Sequence, residues 1–148
     1  MSLQSVPIKI KRFDKSLPLP KYQTKKAAAV DLMARLSVSI PPGQVVKVPL
    51  NVAIQIPDDF FVLVSARSSL HKKGLTLSNG IGVGDADYCG DNDGYQAALL
   101  NFTKQTVEVE KGERLVQMMV LPRPKLKITE VDKMDQLDRG GFGSTGKN

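Results

Sequence analysis

Short stretches in which apolar and polar residues alternate recur along the chain. Such alternation places every second side chain on one face and is typical of β-strands. We predict strands at 7–13, 37–40, 46–48, 52–56, 60–64, 106–109, 114–121 and 127–131, with turns such as Pro41-Pro42-Gly43 between them. About ten short strands predict an all-β fold, which would be a sandwich, a jelly roll or a small distorted barrel.

One stretch favours a helix. Arg67-Ser68-Ser69 offers capping side chains and Gly74 a stop, so we predict about one to two helical turns over 68–73. After Val131 the apolar periodicity ends, and residues 139–146 read RGGFGSTG. We therefore expect one β domain over 1–138 and a flexible Gly-rich C-terminal arm over 139–148.

Residues 79–95, called here the Gly/Asp segment, have the composition of a binding loop. Gly80, Gly82 and Gly84 alternate with apolar residues, which leaves one face of bare backbone able to hydrogen-bond a flat ligand. We predict a long hairpin that is closed at 92–94 by a type I′ turn and returns through 96–100. An acidic surface loop remains an alternative, whereas a calcium loop is disfavoured because its closing Glu is missing.

Composition and charge narrow the class of protein. The chain has 148 residues, 41% hydrophobic and 24% charged, which favours a single globular domain. The net charge is +6, but the basic residues are scattered and aromatics make up 5%, so a polyanionic small molecule is favoured over nucleic acid. With a single Cys89 and a single His71, an intrachain disulfide and a Cys- or His-based zinc site are excluded.

The apolar pattern also indicates the cellular compartment. No signal peptide and no apolar run of membrane-spanning length is visible, so we expect an intracellular protein without a membrane partner.

The C-terminal arm contains a motif that resembles a phosphate-binding loop. Residues 141–147 read GxxxxGK, but a phosphate-binding P-loop needs a strand before it and a helix after it. A Gly-rich backbone able to wrap an anion, with Phe142 stacked on a ring, is the better interpretation.

Five stretches together resemble one family, the trimeric deoxyuridine triphosphatases (dUTPases). They follow in the family's order at 28–34, 66–70, 79–90, 112–118 and 139–146. The resemblance covers nearly the whole chain. It implies a jelly-roll subunit, a homotrimer whose subunits share active sites, and Mg²⁺-dependent cleavage of dUTP to dUMP and pyrophosphate, which limits uracil in DNA and supplies dUMP for dTMP synthesis.

The resemblance also implies roles for individual residues of the Gly/Asp segment. In-line attack of water on the α-phosphorus needs a carboxylate to hold and deprotonate the water. By resemblance this carboxylate is Asp85, although the residues alone do not separate it from Asp87 or Asp91. Tyr88 matches the residue that packs under the deoxyribose and excludes a 2′-hydroxyl. Asn79 and the backbone at Gly82 match the edge that reads uracil.

Other matched positions surround the phosphates. Arg67, Ser68, Ser69 and Gln117 match phosphate contacts, where Arg offers a bidentate fork. Asp31 matches an acid linked to the magnesium ion through water. The arm is expected to cover the nucleotide, with Phe142 on uracil and Arg139 on the γ-phosphate, through Arg139, Phe142, Gly143, Ser144 and Thr145.

The sequence departs from the family at three places in the Gly/Asp segment. Cys89 stands where Arg or Gln is common. Gly84 stands where an apolar side chain is usual, and residues 92–94 are an insertion of about three residues in the return of the hairpin, whose strands would extend.

Two alternative functions stay open. One is a dUTPase-like regulatory protein with weak turnover; the other is a dCTP deaminase, which is disfavoured because 96–101 contains no acid to act as the base. The expected compartment is the cytoplasm, or the host cell's interior for a virus-encoded protein.

Overall fold

The computed structural model describes residues 5–142, and almost all of their regular structure is β. The elements follow in the order β1 Lys9–Arg12, β2 Val30–Met33, β3 Val38–Ile40, β4 Val45–Pro49, β5 Val52–Gln55, β6 Phe60–Ala66, a 3₁₀-helix Leu70–Lys73, β7 Leu75–Leu77, β8 Gly82–Gly84, β9 Gln96–Asn101, β10 Val107–Val109 and β11 Arg114–Pro122. Within this range, no helix is long and apolar enough to cross a membrane.

The strands form small antiparallel sheets around one core. A four-stranded sheet has the order β2-β11-β6-β8 and a three-stranded sheet the order β4-β9-β7, while β1 pairs with β5 and β3 with β10. A single buried apolar cluster takes side chains from both larger sheets, including Leu32, Val62, Val116, Val48 and Leu99. This is the jelly-roll architecture, one of the three that the strand count predicts and the one that the resemblance implies.

Two of the predicted elements differ in the structure. The predicted helix is a 3₁₀-helix over Leu70–Lys73; it ends at Gly74, whose φ of 79° favours glycine, and a Cβ there would lie 2.0 Å from Thr103 Cγ2. The predicted strand at 127–131 is absent. Leu126 and Ile128 are 82% and 88% exposed, because no strand of the described residues lies beside this stretch to pair with it.

The predicted hairpin in the Gly/Asp segment is wrong. β8 is an edge strand hydrogen-bonded to β6, whereas β9 lies between β4 and β7 in the other sheet. Asn92, Asp93 and Gly94 lack the positive φ of a type I′ turn. The segment therefore crosses from one sheet to the other, because both edges of β9 are already paired, with β4 and β7.

Candidate functional site

Asp31 lies at the centre of an ion-pair cluster formed with Arg67 and Arg114, called here the arginine cluster. Its Oδ1 forms an ion pair with Arg67 Nε at 3.2 Å, and its Oδ2 accepts a hydrogen bond from Arg114 Nη1 at 3.0 Å. β2 and β11 are paired, and Arg67 follows directly on β6, so the sheet itself brings the three side chains together. The Asp31 side chain is 10% exposed, and two guanidinium groups compensate its buried charge.

The other phosphate-contact candidates surround this cluster. Gln117 lies between Asp31 and Ser65 in the sheet register, and its Nε2 donates to the Ala66 carbonyl at 3.1 Å. Ser68 and Ser69 are exposed on the turn that follows Arg67. A cavity of about 410 Å³ opens here. It is lined by Arg67, Ser69, Leu70, Lys72, Lys73, Gly112, Glu113, Arg114 and Leu115.

Substitution Asp31→Asn is expected to destabilise the fold by about 2 kcal/mol. Breaking a buried ion pair costs about 3–5 kcal/mol, and the figure is reduced here because the side chains of Arg67 and Arg114 are 28% and 37% exposed. Urea unfolding measures the loss. The matched control is Asp91→Asn, which removes the exposed pair with Lys11 and should leave the free energy of unfolding unchanged. Equal losses of unfolding free energy in the two variants would show that the arginine cluster stabilises the fold no more than the exposed pair of Asp91 and Lys11 does.

A second cavity, of about 550 Å³, lies against the Gly/Asp segment. Four of the residues predicted to bind or act on the nucleotide line it: Asn79, Gly82, Asp85 and Tyr88. The Asn79 amide Nδ2 donates to the Ile81 carbonyl at 2.9 Å, which fixes this side chain at the turn just before β8. The remaining lining residues are Lys47, Val64, Val83, Gly84, Gly94, Tyr95 and Gln96.

The structure distinguishes the three carboxylates that the sequence left open. Asp91 forms an ion pair with Lys11 at 3.1 Å, away from the cavity lining. Asp87 is exposed and lines a different cavity, of about 430 Å³, together with Asp58 and Arg123. Asp85 lines both cavities and, among residues 5–142, forms no ion pair. Of the three, Asp85 therefore lies best to meet a ligand bound beside Asn79 and Tyr88.

Tyr88 is held within the same cavity by two contacts. Its hydroxyl donates to the Gly94 carbonyl at 3.1 Å, and its ring meets that of Tyr95 edge-to-face, with centroids 5.6 Å apart. Tyr95 is buried, and burial raises the pKa of its phenol to about 12, with Tyr88 and Asp85 acting in the same direction. Tyr95 is therefore a neutral, fixed ring beside the half-exposed Tyr88.

Asp85 and the arginine cluster lie towards opposite ends of β6. In the β6–β8 register Gly84 faces Val62, so Asp85 lies near the start of β6, while Arg67 follows its last residue. From Val62 to Arg67 the strand advances five residues, or about 16 Å at 3.3 Å per residue, and Asp85 lies one residue beyond Gly84. Within one subunit Asp85 and the arginine cluster therefore line separate cavities.

The donors present fit a magnesium ion carried mainly by a substrate. No cluster of three or more His, Cys, Asp or Glu side chains suited to a metal occurs in the described part of the chain. Both oxygens of Asp31 already lie beside guanidinium groups, so a metal bound directly to Asp31 would face two positive charges at close range, whereas a contact through water would keep it further away. Magnesium bound chiefly by phosphates and water needs no more than this from the protein.

The residues of the predicted arm lie partly outside the described range. Arg139 and Phe142 are described and exposed, and neither lies in the two cavities above. Gly143, Ser144 and Thr145 lie outside the described residues. The predicted contacts of the arm with a nucleotide stay predictions.

Sequence reasoning missed two residues of the site region, Arg114 and Tyr95. Arg114 completes the arginine cluster, and the signal for it was Asp31 itself, because a lone carboxylate in an apolar strand needs cationic partners. Which arginines serve it depends on strand pairing. The local sequence does not indicate a site role for Tyr95, since a single aromatic residue between a turn and a strand commonly packs in the core.

The chain is similar to known proteins over most of its length. A family model described as dUTPase matches residues 15–146. A protein of Desulfitobacterium hafniense named deoxyuridine 5′-triphosphate nucleotidohydrolase is 41% identical over 152 residues, which cover 97% of this chain and 99% of that protein. A protein of the same name from Caldanaerobacter subterraneus subsp. tengcongensis is 37% identical over 96% of this chain and 99% of its own.

Solved structures resemble the fold as well. The crystal structure of the Streptococcus mutans dUTPase superposes with a TM-score of 0.73 at 33% identity, covering 80% of this chain and 98% of that one. The dUTPase of Staphylococcus bacteriophage 80alpha with dUPNHPP superposes with a TM-score of 0.83 at 21% identity, covering 95% and 98%. At that identity the phage likeness supports the fold alone.

Proposed function

The chain belongs to the dUTPase family and hydrolyses dUTP to dUMP and pyrophosphate, and we propose that it does so in sites built from more than one copy of the chain. The observation that carries this proposal is the separation of the site residues along β6. Asp85 lies near one end of the strand and the arginine cluster at the other, with about 16 Å of strand between Val62, the partner of Gly84, and Arg67. This separation supports a triphosphate bound between subunits, where one copy supplies Asp85 and another copy supplies the arginine cluster.

A homotrimer is the assembly that we propose, in agreement with the resemblance. In a closed ring each copy presents the Gly/Asp segment to the arginine cluster of its neighbour, so three equivalent sites form. Residues 139–148 would then act as an arm on the β domain of residues 1–138. The stretch from 123 to 142 is exposed throughout and carries apolar side chains such as Leu126 and Ile128, which supports its contact with another subunit.

The proposed chemistry begins at Asp85. Its carboxylate holds a water in line with the bond from the α-phosphorus to the departing pyrophosphate and takes a proton as the water attacks. The products are dUMP and pyrophosphate. Asn79 and the Gly82 backbone read the uracil edge, and Tyr88 packs under the deoxyribose, where a 2′-hydroxyl would collide with its ring.

The opposite wall of the proposed site neutralises the phosphates. Arg67 provides a planar fork of N–H donors, and Ser68, Ser69 and Gln117 add neutral donors around it. The ion pair with Asp31 and the hydrogen bond from Arg67 Nη1 to the Arg114 carbonyl keep Arg67 oriented. A magnesium ion, when bound, supplies further neutralisation of the triphosphate, and Asp31 would face it through water.

The alternatives are weaker on the same observations. A dCTP deaminase would need an acid in the strand at the base, and β9 has none. A regulatory binder with weak turnover would keep the same contacts and differ in rate. The single cysteine supports a reducing compartment, so we assign the reaction to the cytoplasm, or to the host cell's interior for a virus-encoded chain.

Mixing two inactive variants tests the shared site. Asp85→Asn subunits and Arg67→Ala subunits are each expected to be inactive, but refolding them together at equal amounts should restore about a quarter of the wild-type rate if each site draws on two copies. Pyrophosphate release from dUTP and ammonia release from dCTP are both followed. Light scattering should give about three times 16.1 kDa.

The outcomes of the mixing experiment separate assembly from activity. No recovery in a mixed trimer would place each site within one subunit, and an active monomer would refute shared sites altogether. Ammonia release from dCTP would instead contradict the assigned reaction. Refolded wild-type protein is the control for losses in the refolding step.

A further inference from the structure

Tyr95 joins the Gly/Asp segment to the core of the domain. Its side chain is 7% exposed and belongs to the central apolar cluster. Its backbone N–H donates to the Val52 carbonyl at 3.0 Å, and its own carbonyl accepts from the Leu50 N–H at 2.9 Å. The ring therefore has a fixed position at the point where the segment leaves the sheets.

The end of the Tyr95 ring occupies the space that a side chain at Gly84 would take. A Cβ built on Gly84 would lie 2.1 Å from Tyr95 Oη and 2.8 Å from its Cε1 and Cζ. Contacts this short do not occur between real atoms, so the glycine and the tyrosine fit only as a pair. Because Asp85 follows Gly84 directly, the ring also supports the backbone that carries the proposed general base.

The same ring supports Tyr88. The two rings meet at an interplanar angle of 73° with centroids 5.6 Å apart, the edge-to-face arrangement that aromatic pairs favour. The Tyr88 hydroxyl donates to the carbonyl of Gly94, the residue before Tyr95. Both contacts of Tyr88 thus lead back to the same part of the chain, which includes the inserted residues 92–94.

We propose that Tyr95 is the positioning residue for sugar selectivity: it sets the place of the Tyr88 ring and thereby the exclusion of a 2′-hydroxyl. This rests on the proposed function, in which Tyr88 packs under the deoxyribose. The Tyr95 ring, and not its hydroxyl, carries the effect, because Oη is buried and has no hydrogen-bond partner in the part of the chain that the structure describes.

The test compares kcat/KM for dUTP and for UTP in variants at position 95. Tyr95→Leu should lower the dUTP-to-UTP ratio about tenfold, the size of an aromatic pair's contribution. Tyr95→Phe keeps the ring and should keep the ratio. Leu75→Ala is the control for plain destabilisation: it empties a buried site on β7, lowers the melting temperature, and should leave the ratio unchanged.

A second variant tests the fit between the ring and Gly84 without removing the tyrosine. Gly84→Ala should displace Tyr95 and lower the ratio, while the same change in a Tyr95→Leu background should add little, because the clash is then gone. Additive losses from the two changes would overturn the proposal. If Tyr95→Leu does not fold, Gly84→Ala alone decides: an unchanged ratio overturns the proposal.

Tyr88→Leu separates this inference from the function beneath it. A lower ratio in Tyr88→Leu together with a wild-type ratio in Tyr95→Leu would overturn the role of Tyr95 alone. An unchanged ratio in Tyr88→Leu would overturn the sugar contact of Tyr88 and, with it, any positioning by Tyr95. Hydrolysis of dUTP by the wild-type protein is measured separately, because it tests the proposed function without either variant.

Discussion

Asp85→Asn is expected to lower kcat by at least about 10²-fold, the scale for loss of a general base, with KM for dUTP changed by no more than a few-fold. The amide has the shape of the carboxylate but cannot take the proton of the attacking water. Asp85 is exposed in the cavity that holds Asn79 and Tyr88, so its substitution disturbs no packing. Steady-state pyrophosphate release measures both constants.

Asp87→Asn and Asp91→Asn are the matched controls for this substitution. Both lie within six residues of Asp85 in the same segment, but Asp91 pairs with Lys11 and Asp87 faces another cavity. Each should keep kcat within a few-fold of wild type. If Asp87→Asn alone lost as much activity as Asp85→Asn, the wrong carboxylate would have been assigned.

Truncation after Asp138 is expected to lower the rate of dUTP turnover by at least about 10²-fold, while leaving the melting temperature nearly unchanged. Residues 139–142 are exposed, so removing them takes no buried surface from the core. The site would lose the arm that excludes water from the nucleotide. Thermal unfolding and pyrophosphate release on the same sample test both halves of the prediction.

Two point variants divide the arm's contribution. Phe142→Ala should lower the turnover of dUTP if the ring stacks on uracil. Arg139→Ala tests the γ-phosphate contact. If Arg139→Ala turns over dUTP like the wild type, another cation makes that contact, and Lys147 is the next candidate. The arm should also become protease-resistant only with a non-hydrolysable dUTP analogue and magnesium. Full activity of the truncated chain would refute the closing arm.

Most of the strands were predictable because alternation is a local property. The stretches at 37–40, 46–48 and 52–56 each contain or overlap a strand of the structure, since apolar residues at every second position have one side to bury, and the apolar run at 60–64 lies within β6. Leu126 and Ile128 alternate with polar residues where a strand was predicted at 127–131, and no strand forms there. A strand needs a hydrogen-bonding partner, which the alternation of a single stretch does not supply.

The Gly/Asp segment also shows that a local sequence pattern does not determine which strands pair. Its turn residues predicted a hairpin, but β8 and β9 belong to different sheets, because pairing is decided by which strand edges remain open in the assembled domain. The five motifs located the site residues along the chain without their distances. Their resemblance to the dUTPases identified the family, which the comparisons confirm, whereas the individual roles stay predictions.

The sequence by itself determined the all-β class, the positions of most strands and the membership of the chain in its family. Only the tertiary structure decided that Asp31 holds Arg67 and Arg114, that Tyr95 fills the space at Gly84, and that Asp85 lies at the far end of β6 from the arginine cluster. Each of these depends on contacts between residues that are distant in sequence. Such contacts arise from sheet pairing and close packing, and no local pattern of side chains encodes them.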